Sequence, residues 1–279
     1  MISETDLLWW CALNECKALT DIKSVCDLGL QELVHSRQAH YDEAIKLFVK
    51  LCGEPEVSLA DCRSSADMWR RLHREIVSLD VAGNDSSLVH FDLNKDSVPR
   101  RLRGRFDFVT NVGTTEHVFN QANCFNVMHD LTKVGGIMAH AVPFVGFENH
   151  GLFKYTMKFF TRLSKANDYH CLDAWASTGA DDPQFKANIS EFLSDDAKAF
   201  KNVRSSDHHP IYFYHLKFND YRSVDACMYV FLRKVTPGQF QVPIDLPDDA
   251  IYEGKHWRLI RGFPGGAAFA NLVRNFRRK

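Results

Sequence analysis

The chain has 279 residues, 45% of them hydrophobic and 25% charged, with 34 basic and 35 acidic side chains and a formal net charge of −1. Those proportions fit a packed globular chain rather than a disordered one, and a length ordinary for one elaborated α/β domain. The balanced charge provides no field for holding a polyanion, so DNA and RNA are excluded as expected partners.

The basic run Arg274, Arg277, Arg278 and Lys279 reads as a solvated tail. None of the eight cysteines forms a CxxC pair, and several sit in apolar runs where a thiol behaves as a small hydrophobe. The start has no secretory apolar region, and no apolar stretch approaches the ~18 residues of a membrane span. The expectation is a cytoplasmic, reducing environment and no membrane span. The oligomeric state stays open, a homo-oligomer included.

In chain order, Thr5 to Ala18 predicts an N-terminal helix. The run Ile22 to Leu28 then ends in Asp27-Leu28-Gly29, a strand followed by a turn. Tyr41 to Cys52 has apolar residues at helical spacing and Gly53 at the C-cap. Ser64 or Ser65 caps a short helix, Ala66 to Arg74, which feeds a strand at Ile76 to Asp80. Two further apolar runs, Leu88 to Asp92 and Phe106 to Asn111, predict strands. Residues 116–132 read as a helix, and Gly135-Gly136 leads into a strand from Ile137 to Pro143. A helix over Leu152 to Ala166, a strand over Tyr169 to Trp175, a helix over Asp182 to Phe200 and a closing strand over Ala226 to Leu232 complete the series. The tail from Pro237 is rich in Pro and Gly and is expected to wrap the surface. Alternating strands and helices are the mark of a parallel sheet built from βαβ units.

Four successive strands end in an acid or amide: Asp27, Asp80, Asp92 and Asn111. In an open parallel sheet these ends share one edge, where ligands bind in doubly wound folds. A carboxylate after the second strand can accept both hydroxyls of a ribose, and Gly29 lets backbone approach a ligand closely. A dinucleotide fold would place G-x-G-x-x-G in the first turn to cradle a pyrophosphate. Here the turn is Asp27-Leu28-Gly29-Leu30-Gln31-Glu32, with one glycine and an acid that would repel phosphate. A nicotinamide oxidoreductase is therefore disfavoured.

The stretch Phe106 to Pro143 (FDFVTNVGTTEHVFNQANCFNVMHDLTKVGGIMAHAVP) resembles the pattern of class I S-adenosylmethionine-dependent methyltransferases. In that pattern an FDxV strand is followed by a Glu-His-Val helix start and a Leu-Lys-Pro-Gly-Gly turn. Val134 replaces the usual proline, Leu30 and Gln31 stand near the second and third glycines of the first motif, and the interval from Asp27 to Asp80 is far longer than the ~20 residues of a compact βαβ fingerprint. The added helix at Ala66 to Arg74 fills that interval as a surface insertion. The resemblance covers roughly residues 22–143 and, more loosely, the strand at 226–234.

What the resemblance implies is a single Rossmann-like α/β domain over residues 1–279. It would have a mostly parallel seven-stranded sheet with helices on both faces, an antiparallel last strand, an N-terminal helix and a C-terminal extension. Residues 22–143 would be the cofactor-binding half, 144–235 the substrate-side elements and closing strands, and 236–279 the extension. The implied cofactor is S-adenosyl-L-methionine, contacted by Asp27, Gly29, Gln31, Asp80, Asp92, Asn111 and Gly113, with Asp80 at the ribose, Asp92 near the adenine amine, and Asn111 and Gly113 at the methionine end. The expected reaction is O-methylation of a small molecule or saccharide, the alternative being a catalytically degenerate binding or scaffold protein.

Methyl transfer to a hydroxyl benefits from a base titrating near neutrality. His150, just past the fifth strand, and His117, directly after Glu116, are the candidate catalytic residues, whereas His140, within a strand, reads as a satisfied core histidine. Glu116, His117, His129 and Asp130 are close in sequence, but 129–130 fall about three helical turns from 117, too far to share an ion, and no HExxH-type spacing occurs, so no metal is expected. Asp207-His208-His209 reads as a loop over the site. The aromatics Phe147, Phe153, Tyr155, Phe159 and Phe160, and Tyr212, Phe213, Tyr214 and Phe218, read as core, with an acceptor pocket as the alternative.

Overall fold

The structure, a computed structural model, describes residues 1–11, 13, 18–34, 38–177 and 225–245. The expected helix at Asp182 to Phe200, the Asp207-His208-His209 cluster, the aromatics at 212–218 and the basic tail lie outside the described residues. The chain divides into two compact units, Met1–Val242 and Pro243–Lys279, and the sheet and its helices belong to the first.

The elements in order are α1 (Glu4–Cys11), α2 (Ala18–Asp21), β1 (Ser24–Leu28), α3 (Gln38–Leu51), α4 (Ser65–Arg71), β2 (Glu75–Asp80), β3 (Leu88–His90), β4 (Phe106–Val112), α5 (Gln121–Leu131), β5 (Thr132–Val145), α6 (Met157–Asn167), β6 (Tyr169–Ser177) and β7 (Ala226–Lys234). The strands form one sheet in the order β3-β2-β1-β4-β5-β7-β6. Pairs among β1 to β5 are parallel, and β7 runs antiparallel to both β5 and β6. This is the Rossmann-like sheet with a reversed last strand that the resemblance implies.

Period-2 alternation sends successive side chains to opposite faces. Val25, Phe108, Ala139 and Phe231 pack with Trp9, Trp10, Phe48 and Trp69 of the helices α1, α3 and α4. Their neighbours Cys26, Val109, Met138 and Leu232 pack with Phe125 and Met128 of α5 and Phe160 of α6. Helices therefore cover both faces. The ring of Trp9 stacks on Phe231 with centroids 3.7 Å apart, fastening α1 to β7. At the opposite end of the sheet from the strand C-termini, Asp107 accepts hydrogen bonds from Lys23 N, Ser24 N and Ser24 Oγ, locking β4 beside β1.

Several boundaries differ from the sequence expectation, each for a local reason. The helix expected over 116–132 is split. Thr115–His117 forms a single 3₁₀ turn, and α5 starts afresh because Asn120 caps it, accepting from Asn123 N. Likewise α6 begins at Met157 rather than Leu152, since Thr156 caps it and the chain before it is pinned by Tyr155 N donating to Pro143 O. Strand β5 begins at Thr132 and runs through the glycine pair. The C-terminal carbonyls of His129 and Thr132 are bonded by the buried ammonium of Lys234 in β7.

Ser64 accepts from Asp67 N at the start of α4. Removing such a cap typically costs about 1 kcal/mol, so Ser64→Ala is expected to lower the unfolding free energy by that amount, read from urea titrations. All seven described cysteines are free thiols. Among the described residues no helix is long and apolar enough to cross a membrane.

Candidate functional site

Sheet order reverses between β1, which is followed by β2 and β3 on one side, and β4, which is followed by β5 on the other. At such a switch point the loops leaving the two central strands diverge and open a crevice at the strand C-termini. A cavity of about 370 Å³ lies there, lined by Gly29, Leu30 and Gln31 after β1, Asp80 and Val81 at the end of β2, Phe91 to Asn94 after β3, and Gly113, Thr114, His117 and Val118 after β4. That volume is within the ~300–1,000 Å³ usual for small-molecule and cofactor sites.

The turn after β1 is held by side chains rather than by further glycines. Gln31, nearly buried, donates to Leu28 O and to Thr114 Oγ1, and Thr114 Oγ1 donates to Leu28 O. Gly29 adopts φ +81°, and a Cβ there would meet Thr114 Oγ1 at 3.0 Å and Gln31 Nε2 at 3.3 Å. This position therefore requires glycine on both conformational and steric grounds. Asp80 completes the turn: Oδ2 accepts from Leu30 N at 2.9 Å and Oδ1 from Ala82 N at 3.1 Å. Thr114 has no charge or motif to mark it, and sequence reasoning missed it. Its signal was position, directly after Gly113 at the end of a strand.

Of the expected cofactor contacts, Gly29, Gln31, Asp80, Asp92 and Gly113 border the cavity, while Asp27 and Asn111 do not. Both of those side chains are fully buried. The Asp27 carboxylate accepts from Thr110 Oγ1 and lies beside the buried Ser65 hydroxyl; burial pushes it up to about 6 against the lowering effect of those two hydroxyls. The Asn111 amide is spent on the 3₁₀ turn: Nδ2 donates to Thr115 Oγ1 and Oδ1 accepts from Thr115 N. Its side chain therefore lies beneath the rim and off the cavity wall. Asp92 is partly exposed, and the Asn94 amide followed by the Lys95 ammonium hold its carboxyl below the usual range.

The two candidate histidines come together. Rings of His117 and His150 have centroids 5.1 Å apart, and both Nε2 atoms face Glu116 Oε1, at 3.9 and 3.8 Å. Glu116 is buried with neither carboxylate oxygen hydrogen-bonded, and burial pushes it up to about 7. Burial, then the neighbouring His150, holds His117 below the ordinary imidazole value. The sequence placed Glu116 in the motif and beside His117 without showing its desolvation, which comes with the loop at 151–153 packing against it.

His140 is buried as expected of a core histidine, but only one of its ring nitrogens is hydrogen-bonded. Nδ1 lies 3.4 Å from Asn111 Nδ2 and Nε2 has no hydrogen-bond partner, so burial among Phe125 and Phe160 drives it down to about 3 and keeps it neutral. The aromatics after β5 divide. Tyr155 and Phe160 are core, while Phe147 sits beside His150 and Phe153 packs against the exposed Phe119.

No protein-family model and no curated protein sequence matches the chain. Solved structures similar to it include three methyltransferases. One is the O-methyltransferase from a trans-AT PKS multienzyme of Brevibacillus brevis, in complex with S-adenosyl-L-homocysteine (12% identity, 79% of this chain and 71% of that one, TM-score 0.39). Another is the 1,6-didemethyltoxoflavin-N1-methyltransferase of Burkholderia thailandensis, with bound 1,6-didemethyltoxoflavin and S-adenosylhomocysteine (11%, 82% and 81%, 0.38). The third is a SAM-dependent methyltransferase from Archaeoglobus fulgidus (9%, 82% and 94%, 0.40).

Proposed function

We propose that the chain is an S-adenosylmethionine-dependent methyltransferase that methylates a hydroxyl oxygen of a small molecule or saccharide. The observation that carries this reading is the cavity at the sheet's switch point, bordered by the carboxylates of Asp80 and Asp92 and by the single-glycine turn at Gly29. The residues suit the cofactor. The carboxylates of Asp80 and Asp92, both on the cavity wall, can accept from ribose hydroxyls and an exocyclic amine. An acidic rim lacking the G-x-G-x-x-G cradle repels a pyrophosphate and favours a ligand bearing an ammonium and a sulfonium.

When bound, S-adenosylmethionine supplies an electrophilic methyl group on its sulfonium. The protein's part is then orientation, exclusion of water and removal of one proton from the acceptor. His117 borders the cavity and His150 lies against His117, each with an Nε2 toward the buried Glu116. A carboxylate behind an imidazole orients its ring and stabilises the cation formed when it takes a proton. The exposed Phe119 and Leu152 add apolar surface against which an acceptor ring can lie.

Calorimetry with S-adenosylmethionine and S-adenosylhomocysteine tests the reading, with NADH as comparator. Binding of the first two but not of NADH is expected. Absence of binding to both adenosyl ligands favours a scaffold, and NADH binding favours an oxidoreductase. His150→Ala is expected to lower turnover about tenfold while leaving affinity for S-adenosylhomocysteine nearly unchanged. Equal activity in the variant would remove His150 from the acceptor side.

A further inference from the structure

We propose that Glu116, His117 and His150 form a binding site for one first-row divalent transition-metal ion, with open coordination positions that take an oxygen donor of the acceptor. Sequence spacing gave no such signal, because the ligands come from two separate loops. Glu116 and His117 lie in the 3₁₀ turn after β4, and His150 follows β5. One donor atom from each side chain falls within 4.8 Å of the other two.

The arrangement is built rather than incidental. Leu152 N and Phe153 N both donate to Glu116 O, at 2.8 and 3.1 Å, which anchors the His150 loop to the Glu116 turn. Gly151 makes that approach possible, since a Cβ there would meet Glu116 O and Cγ at 3.0 Å. Glu116 is thereby fixed and fully buried, and both its carboxylate oxygens lack hydrogen-bond partners. A buried carboxylate left unpaired is costly, and it is normally balanced by a cation or a metal. The two imidazoles that face it are about half exposed, so they have room to turn. Bonds of ~2.0–2.2 Å to nitrogen and carboxylate oxygen require the donors to close up by roughly 1 Å from their present separations, which the exposed rings can supply.

Two imidazole nitrogens and one carboxylate suit Zn²⁺, Fe²⁺, Co²⁺ or Mn²⁺ better than Mg²⁺ or Ca²⁺, which take oxygen ligands. Three protein ligands leave at least one position for substrate or water. His117 also borders the cavity at the switch point, so an open position on that side would be accessible from it. With the ion bound, His117 and His150 would be its ligands and not bases, and the ion would instead lower the pKa of the acceptor hydroxyl it holds; this choice of an acceptor oxygen as the further ligand rests on the methyl-transfer reading. Cation binding does not.

Cobalt(II) titration of the full chain, stripped with chelator, tests the site. One Co²⁺ per chain is expected, with visible absorption bands of nitrogen and oxygen coordination, and at least tenfold weaker binding in Glu116→Gln and in His150→Ala. Circular dichroism shows whether each variant is folded, and His150, being exposed, is the safer of the two. No Co²⁺ binding by the wild type, or binding unchanged in both folded variants, overturns the proposal. Calorimetry with S-adenosylhomocysteine on the same stripped chain separates the two readings. Adenosyl binding without Co²⁺ binding removes the metal site alone, and specific Co²⁺ binding without adenosyl binding upholds the metal site while removing the methyl-transfer reading.

Discussion

Replacing Asp80 by alanine is expected to weaken binding of S-adenosylhomocysteine at least tenfold, and about a hundredfold if both ribose hydroxyls bind its carboxylate. Hydrogen bonds to an ionised group contribute roughly 1.5–3 kcal/mol each, and tenfold corresponds to about 1.4 kcal/mol, so loss of one such bond suffices. The same substitution frees Leu30 N and Ala82 N, which loosens the turn that borders the cavity and adds to the effect. Asp80→Asn separates the two contributions. Its amide oxygen can still accept from Leu30 N, while the charge is gone, so an affinity between wild type and alanine is expected. Unchanged affinity in a folded Asp80→Ala variant would remove the ribose assignment.

The second large effect concerns stability and pH. Burial raises Asp27 to about 6 in the folded chain, against ~3.9 for an unfolded aspartate. A carboxyl whose folded value lies above its unfolded value favours the folded state most when protonated. That contribution is fully present below ~4 and is lost as pH rises through about 6. The two-unit gap corresponds to roughly 3 kcal/mol at full ionisation, an order-of-magnitude figure. Asp27→Asn removes the titration while leaving an acceptor for Thr110 Oγ1. The variant is therefore expected to be about 2–3 kcal/mol more stable than wild type near pH 8 and about equal to it near pH 4, measured by urea unfolding. A difference independent of pH, or of opposite sign, would contradict this account of the buried carboxylate.

Which parts of this arrangement were legible in the amino-acid order follows from the range of the forces involved. The run Phe106-Asp107-Phe108-Val109 is buried at every position, with apolar side chains sent to both faces, because β4 is central and covered on both sides. That signal is local, and the sheet followed from it. Asp80 and Gly29 were legible for the same reason, being the residues on which a strand ends. Helix starts were less so. Asn120 and Thr156 act as caps through bonds to Asn123 N and Phe159 N, yet polar residues equally suited to capping stand nearby in both cases. The fates of Asp27 and Asn111 were beyond local reading. Both end strands, as Asp80 does, but β1 and β4 are central, so Thr110 and Thr115 enclose their side chains, whereas the side chain of Asp80 on β2 reaches the rim. Glu116 depends on contacts still more distant in the chain, since it is the loop at 151–153 that desolvates it.

A crystal structure of the chain with S-adenosylhomocysteine measures the central claim directly. The account predicts the adenosyl group in the cavity at the β1/β4 switch, its ribose hydroxyls on Asp80, its adenine beside Asp92, and its sulfur on the side of His117 and His150. Density for the ligand elsewhere on the surface, or a fully saturated crystal in which that crevice holds only solvent, would contradict it.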